Sequence, residues 1–112
     1  MFYILTPENK KDVGNVLKTS SNVSVLYYWN MCGYCSALRP TWDRVCNKYK
    51  NIGDCDIIDV EVLHVNHLPA KYRKDAKGYP TIIKYNKGKK VAEFSDERVF
   101  NKLDKFVKGK GI

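Results

Sequence analysis

Two thiols set the problem. Cys32 and Cys35 lie two residues apart in the stretch Met31-Cys32-Gly33-Tyr34-Cys35-Ser36-Ala37-Leu38-Arg39-Pro40. At that spacing the sulfurs can bridge within one helical turn. A Cys32 thiolate can then attack a disulfide and Cys35 can resolve the mixed intermediate, which is thiol–disulfide exchange. Zinc sites share the C-x-x-C spacing, so the pair alone leaves both chemistries open. Cys46 and Cys55 widen the choice. Cys46 reads as a buried free thiol behaving as a small hydrophobe, as the disulfide partner of Cys55, or as one of four thiolates on a zinc ion. Zinc would need all four thiols to converge, and a helix interrupted by Pro40 separates them. His64 and His67 have a spacing that suits a metal only on a helix; they are placed in a loop, solvated.

These residues need elements to position them. Val23 to Trp29 is a near-continuous apolar run and reads as a strand covered on both faces. After Cys35, Leu38, Trp42, Val45 and Tyr49 recur at i, i+4, i+7 and i+11, one face of a helix that runs to about Lys50. Cys32 therefore falls at or beside the helix N-cap, where unpaired N–H groups and the dipole favour negative charge. Such settings bring a cysteine from about 8.5 to roughly 3.5–7.5. Pro40 removes a backbone donor and is expected to kink the helix.

The rest of the chain supplies a frame. Phe2 to Leu5 reads as a first strand, and Thr6-Pro7-Glu8 as N-cap, first-turn proline and acid of a helix carrying Val13, Val16 and Leu17. Ser20-Ser21-Asn22 closes it. Asp56 to Val62 reads as a third strand, with Ile58, Val60 and Val62 alternating against Asp59 and Glu61. Leu68 to Ala76 forms a short irregular helix. Thr81 to Tyr85 and Lys90 to Phe94 make a hairpin around Asn86-Lys87-Gly88-Lys89. Ser95 or Asp96 caps a last helix whose core face holds Val99, Phe100, Leu103, Phe106 and Val107. The order β-α-β-α-β-α-β-β-α predicts an α/β chain, one domain with a mixed sheet and helices on both faces.

Composition narrows the partners. The 112 residues are 44% apolar, enough for one core. Twenty basic residues against 12 acidic ones give +8, and only Arg39, Arg44, Arg73 and Arg98 are arginines. The lysines are spread over several elements without interleaved aromatics, so no specific nucleic acid is expected. No stretch is long and apolar enough for a membrane span. The apolar block at the N-terminus is too short for a secretory leader, and the C-terminus carries no retention or prenylation signal. A cytoplasmic location follows as the expectation. The Lys-, Asn- and Tyr-rich composition also resembles that of AT-rich genomes, large DNA viruses included, and a viral source would add the virion. Lys108 to Ile112 reads as a frayed tail.

With this order of elements the chain resembles the thioredoxin fold over nearly its whole length, and in particular the catalytic domains of protein disulfide isomerases. Three features carry the resemblance: the apolar strand running into Cys32-Gly33-Tyr34-Cys35, Pro40 five residues after the second cysteine, and Gly78-Tyr79-Pro80-Thr81 opening the fourth strand. It implies that Pro80 is cis and faces the cysteine pair, with the Tyr79 backbone offering strand-type hydrogen bonds to an extended substrate. Met31, Gly33, Tyr34, Tyr79, Pro80 and Lys77 then line the substrate site. Lys77 stands where disulfide isomerases carry an arginine that modulates the resolving thiol, here as a point charge without a planar fork. The resemblance implies no cofactor and no metal, protein substrates with thiols or disulfides, a redox partner that recycles the pair, and a monomer.

Two departures stand out. Met31 occupies the place of a tryptophan, with Trp29 two residues earlier. Leu26 occupies the place where the family buries an acid beneath the second cysteine, and a leucine takes no proton. Asp59 falls where thioredoxins carry a lysine against that acid. It either takes over the acid's role or is a half-exposed strand residue. A glutaredoxin reading fails on Gly33-Tyr34 and on Asn86-Lys87-Gly88-Lys89, which replaces the paired glycines that receive glutathione. The expectation is a thiol–disulfide oxidoreductase with Cys32, Cys35 and Asp59 as catalytic residues. It leans to oxidase or isomerase, because Gly-Tyr matches the dipeptide of bacterial disulfide isomerases. A reductase, and a redox-silent module binding through the apolar surface around Tyr34 and Pro80, are the alternatives.

Overall fold

The computed structural model describes residues 1–109. In chain order its elements are β1 (Phe2–Ile4), α1 (Lys10–Thr19), β2 (Val23–Tyr28), α2 (Gly33–Tyr49), β3 (Asp56–Glu61), a 3-10 helix (Val62–His67), α3 (Ala70–Arg73), β4 (Thr81–Asn86), β5 (Lys89–Glu93) and α4 (Phe100–Lys108). The five strands form one sheet in the order β1-β3-β2-β4-β5. β1, β3 and β2 run parallel, β4 is antiparallel to β2, and β5 is antiparallel to β4. The expected mixed sheet is therefore present, with the strand that leads to Cys32 at its centre.

Alternation along the strands builds two cores. Val23, Val25 and Tyr27 of β2 join Ile58, Val60, Ile83 and Tyr85 under Val13 and Leu17 of α1 and Tyr72 of α3. Leu26, Ile57 and Ile82 point the other way, under Leu38, Trp42, Val45 and Tyr49 of α2 and Leu103 and Val107 of α4. A period of two in the strands sends successive side chains to opposite helical layers. Each helix closes its layer with one apolar stripe.

Several boundaries differ from the sequence expectation, for local reasons. Thr6 does not start α1. Its Oγ1 accepts from Asn9 N at 3.2 Å while Asn9 Oδ1 accepts from Thr6 N at 2.8 Å, a reciprocal pair around a separate turn, and α1 begins at Lys10. Ser95 and Asp96 do not cap α4, which begins at Phe100 after Val99. The Asp96 carboxylate is occupied by Glu97 N and Lys102 Nζ, and Val99 is exposed rather than in the core. Residues 62–67 form a 3-10 helix rather than a loop, because Glu61 Oε1 accepts from Leu63 N at 3.0 Å and caps the turn. Side chains three apart eclipse on such a helix. His64 and His67 accordingly stack, ring centroids 5.6 Å apart, and both are half-buried rather than solvated. α2 continues through Pro40 to Tyr49. α4 ends at Lys108, and residues 110–112 of the expected tail lie outside the described residues.

The hairpin turn consists of Lys87 and Gly88, with φ of 49° and 86°, between the paired Asn86 and Lys89. Two left-handed residues give the turn whose twist suits adjoining strands, and glycine takes the more extreme one without a Cβ penalty. No sequence pattern announces Lys84, a β4 lysine that is 1% exposed. Its ammonium donates to Asn22 Oδ1 and to the carbonyls of Val107 (2.7 Å) and Gly109 (2.6 Å), so it closes the C-terminal end of α4. A cation there faces the negative end of the helix dipole.

Candidate active site

The site is made where β2 ends. After Tyr28 the chain turns back on itself, with Cys32 N donating to Trp29 O at 3.0 Å. Cys32 is the N-cap of α2: its sulfur accepts from Cys35 N at 3.3 Å and its carbonyl from Ser36 N at 3.1 Å. Cys32 is half-exposed, whereas Cys35 lies behind it at 7% exposure. The Cys35 thiol and N–H that point at Cys32 Sγ hold the Cys32 thiol below its ordinary value, and Arg98 adds to this. Burial pushes Cys35 the opposite way, with the Trp29 backbone opposing and Cys32 adding to the rise. Neighbouring thiols thus diverge: one is readied to ionise and the other to keep its proton.

The peptide Tyr79–Pro80 is cis, and Tyr79 O faces Cys32 Sγ at 3.5 Å. Trp29, Met31 and Tyr34 are exposed around the pair, Met31 and Tyr34 by more than 70%. Gly33 is the first residue of α2, with open space around its Cα. Lys77 is exposed in the loop before Pro80. Arg98 is a second cation near the pair: it favours both thiolates, and its guanidinium lies 6.0 Å from the centre of the Tyr34 ring. It stands in the extended segment before α4, where no local pattern announces it.

Asp59 is not a half-exposed strand residue. It is 2% exposed and directly beside Leu26 in the β2–β3 register. Trp42 Nε1 donates to its Oδ1 at 2.8 Å and Arg39 Nη1 to its Oδ2 at 2.8 Å. Burial raises the Asp59 carboxyl above the usual carboxylate range even against those two donors. Arg39, one turn beyond Cys35, also lies 4.6 Å from the Tyr28 ring centre and bonds Asp43 at 3.2 Å. It shares a cleft of about 210 Å³ with Cys35, Tyr28, Trp29, Asn30 and Ser36. Sequence reading missed Arg39; a charge four residues after Cys35, beside the apolar stripe of α2, was the available signal. It also missed Glu61, buried at the end of β3, whose carboxylate accepts from Asn30 N and Leu63 N and so joins the active-site turn to the 3-10 helix.

All four cysteines are free. Cys46 and Cys55 are buried in the α2/α4 core, so the bridged alternative is not the state described, and Cys55 Sγ donates to Val107 O at 3.2 Å. Among the described residues no group of three or more His, Cys, Asp or Glu is arranged to hold a metal. Nor is any helix among them long and apolar enough to cross a membrane.

A half-exposed thiol at a helix N-cap, a buried thiol one turn on and a cis proline against the pair define a dithiol site on a βαβ frame. The thioredoxin family model matches residues 4–109, and the chain belongs to that family. It is 34% identical over 104 residues to a probable protein disulfide-isomerase A6 of Medicago sativa, covering 93% of this chain and 27% of that one. It is 32% identical over 110 residues to a protein disulfide-isomerase of Saccharomyces cerevisiae, covering 96% and 20%. The chain thus spans about a quarter or less of the length of these relatives. Among solved structures, human ERp44 superposes with a TM-score of 0.74 at 19% identity, covering 93% of this chain and 31% of that one. The J-Trx1 fragment of ERdj5 gives 0.73 at 17%, covering 94% and 49%. These likenesses show the fold.

Proposed function

We propose that the chain is a thiol–disulfide oxidoreductase of protein substrates, working through Cys32 and Cys35. The observation that carries this is the pairing of an accessible Cys32 at a helix N-cap with a buried Cys35 whose N–H donates to the Cys32 sulfur. In the reducing direction the Cys32 thiolate attacks one sulfur of a substrate disulfide, and the S–S electron pair leaves on the other sulfur, which takes a proton. Cys35 then gives up its proton and attacks Cys32. The Cys32–Cys35 disulfide forms and the second substrate thiol is released, so the substrate gains two electrons and the pair loses two. Oxidation runs the same steps backwards. The Gly33-Tyr34 dipeptide favours the oxidase or isomerase direction. A second redox protein returns the pair to its working state.

The resolving step needs a proton acceptor, and Asp59 is our candidate. Its raised carboxyl lies beside Leu26, and its partner Arg39 lines the cleft that holds Cys35. Arg39 thus stands between the cleft at Cys35 and the buried carboxylate. Tyr79 and Pro80 hold the substrate segment against Cys32, and Met31, Gly33, Tyr34 and Lys77 complete the contact surface. The test is insulin reduction with dithiothreitol as electron source, together with the reduction potential of the pair. Turnover above the dithiothreitol background is expected. Its absence at any potential would leave a redox-silent binding module, and a potential as low as about −270 mV, the thioredoxin value, would replace isomerase by reductase.

A further inference from the structure

Exposed cations occur on both faces of this molecule. On the α2/α4 side Arg39 pairs with Asp43 and Asp59, Lys48 with Asp104 and Lys102 with Asp96, while Arg44, Lys50 and Lys105 make no ion pair among the described residues. On the α1/α3 side, Lys10, Lys11 and Lys18 of α1, Lys71 and Arg73 of α3, Lys74 and Lys77 after it, and Lys87 and Lys89 at the hairpin are all exposed, and among the described residues none makes an ion pair. Nearby acids are few. Glu8 and Asp12 lie towards the start of α1, and the Asp75 carboxylate is taken by Tyr85 OH at 2.7 Å.

The fold gathers part of this set around one point. Lys87 N donates to Ser20 O at 2.7 Å, which docks the hairpin turn on the end of α1. A Cβ placed on Gly88 would lie 3.2 Å from Lys71 Nζ and 3.9 Å from Lys18 Cα. Lys18, Lys71, Lys87 and Lys89, dispersed in sequence, therefore converge on the turn. Like charges assembled this way repel, and among the described residues no acid pairs with them.

We propose that this cluster is a docking surface for an acidic segment of a partner polypeptide. Its chemistry argues against the other polyanions. Among the described residues, large exposed apolar side chains occur at Met1, Ile4, Trp29, Met31, Tyr34, Ile52, Leu63 and Val99, none of them on α1, α3 or the turn. The surface thus offers nothing to insert into a bilayer and no aromatic on which a base could stack. Lysines acting as separate point charges suit carboxylates dispersed along a flexible chain. The cluster also lies away from the thiols. The turn extends beyond Val23 and Tyr85, paired at one end of β2, whereas Cys32 follows the other end, and β2 alone separates them by roughly 17 Å at about 3.3 Å per residue. A partner held there leaves Cys32 free to meet substrate.

The experiment measures binding of a labelled oligoglutamate peptide at low salt by anisotropy, for the wild type, for K18E/K71E/K89E, and for R44E/K50E/K105E, which changes net charge equally on the α2/α4 side. The first variant is expected to bind at least about tenfold more weakly and the second to stay within about threefold of wild type. The far-ultraviolet circular dichroism spectrum should be unchanged in both, which shows that they are folded. K18A/K71A/K89A, measured alongside, should fall between wild type and the first variant. Equal loss in the two charge-reversed variants would reduce the effect to net charge and overturn the proposal. So would the absence of peptide binding, or tighter binding to phosphatidylserine vesicles or to a single-stranded oligonucleotide at matched charge. None of these outcomes depends on the redox reading.

Discussion

Helix α2 carries a cysteine near each end, and the two behave as different functional groups. Cys35 in its first turn is 7% exposed and Cys46 near its last turn is 4% exposed, so burial raises both thiols. What separates them is the next charge. Cys35 has Cys32 at the N-cap and Arg98 nearby, whereas Cys46 has the carboxylates of Asp59 and Asp43, which add to burial and make its thiolate still less favourable. Cys55 belongs with Cys46, buried and donating to Val107 O. Exposure and a helix N-terminus create a nucleophile, and a buried thiol becomes a resolver only beside one.

The strongest way to break this contrast is to remove the nucleophile. Cys32→Ser should abolish exchange, whereas Cys35→Ser should keep the first step and accumulate mixed disulfides with substrate, visible on non-reducing gels. Equal activity in the two variants would sink the assignment of roles. The next effect is in labelling. Each unit of pKa is about tenfold in thiolate fraction near neutral pH, so iodoacetamide should modify Cys32 first and reach Cys46 and Cys55 only when the protein unfolds. Mass mapping that finds Cys46 or Cys55 modified first in the folded protein would reverse the contrast.

The smaller effects concern how Cys35 loses its proton. If Asp59 accepts it, Asp59→Asn should slow release of a mixed disulfide by roughly 10²-fold. Leu26→Asp should restore a direct acceptor and speed release, at a stability cost of about 1–3 kcal/mol for a buried polar group with few partners. Single-turnover release measured from pH 6 to 9 decides the matter. If wild type and Asp59→Asn follow the same profile, Asp59 holds only Arg39 and Trp42, and Cys35 loses its proton directly to water in the cleft.

Much of this was legible from residue order. The stripe from Leu38 to Tyr49 predicts α2, the run from Val23 predicts the central strand, and Cys32 falls on the N-cap as expected. The illegible parts were those set by contacts between distant segments. Asp59 is buried because β3 pairs with β2 under α2, and Arg39 becomes its partner only through that packing. Arg98 comes to the Tyr34 ring beside the cysteines from an irregular segment with no period to read. Lys84 looks like one more polar strand residue until α4 places its carbonyl groups over it.

The last and smallest effect is the dependence of stability on pH, where the inert thiols become measurable. Burial raises Cys46 and Cys55 in the folded chain, whereas in the unfolded chain both ionise near about 8.5. Below that pH both states hold the protons and the contribution of these thiols is complete. As pH rises above it, the unfolded state releases protons that the folded state retains. Unfolding then becomes easier, by up to about 1.4 kcal/mol per pH unit for each thiol. Cys35 acts in the same direction. Lys84 opposes them, because burial lowers it to about 8, so between about 8 and 10.4 the unfolded chain binds more protons than the folded one. The lowered Cys32 opposes them too, but most of its contribution is complete by about pH 8.5. Three raised thiols against the lysine and that remainder leave a net loss of stability between pH 8.5 and 9.5. Urea unfolding at pH 7.5, 8.5 and 9.5 should show that loss. It should be shallower by about one thiol's share in Cys46→Ala and again in Cys55→Ala, and steeper in Lys84→Met. An identical pH dependence in wild type and all three variants would mean that the two ends of α2 do not differ in the way their surroundings require.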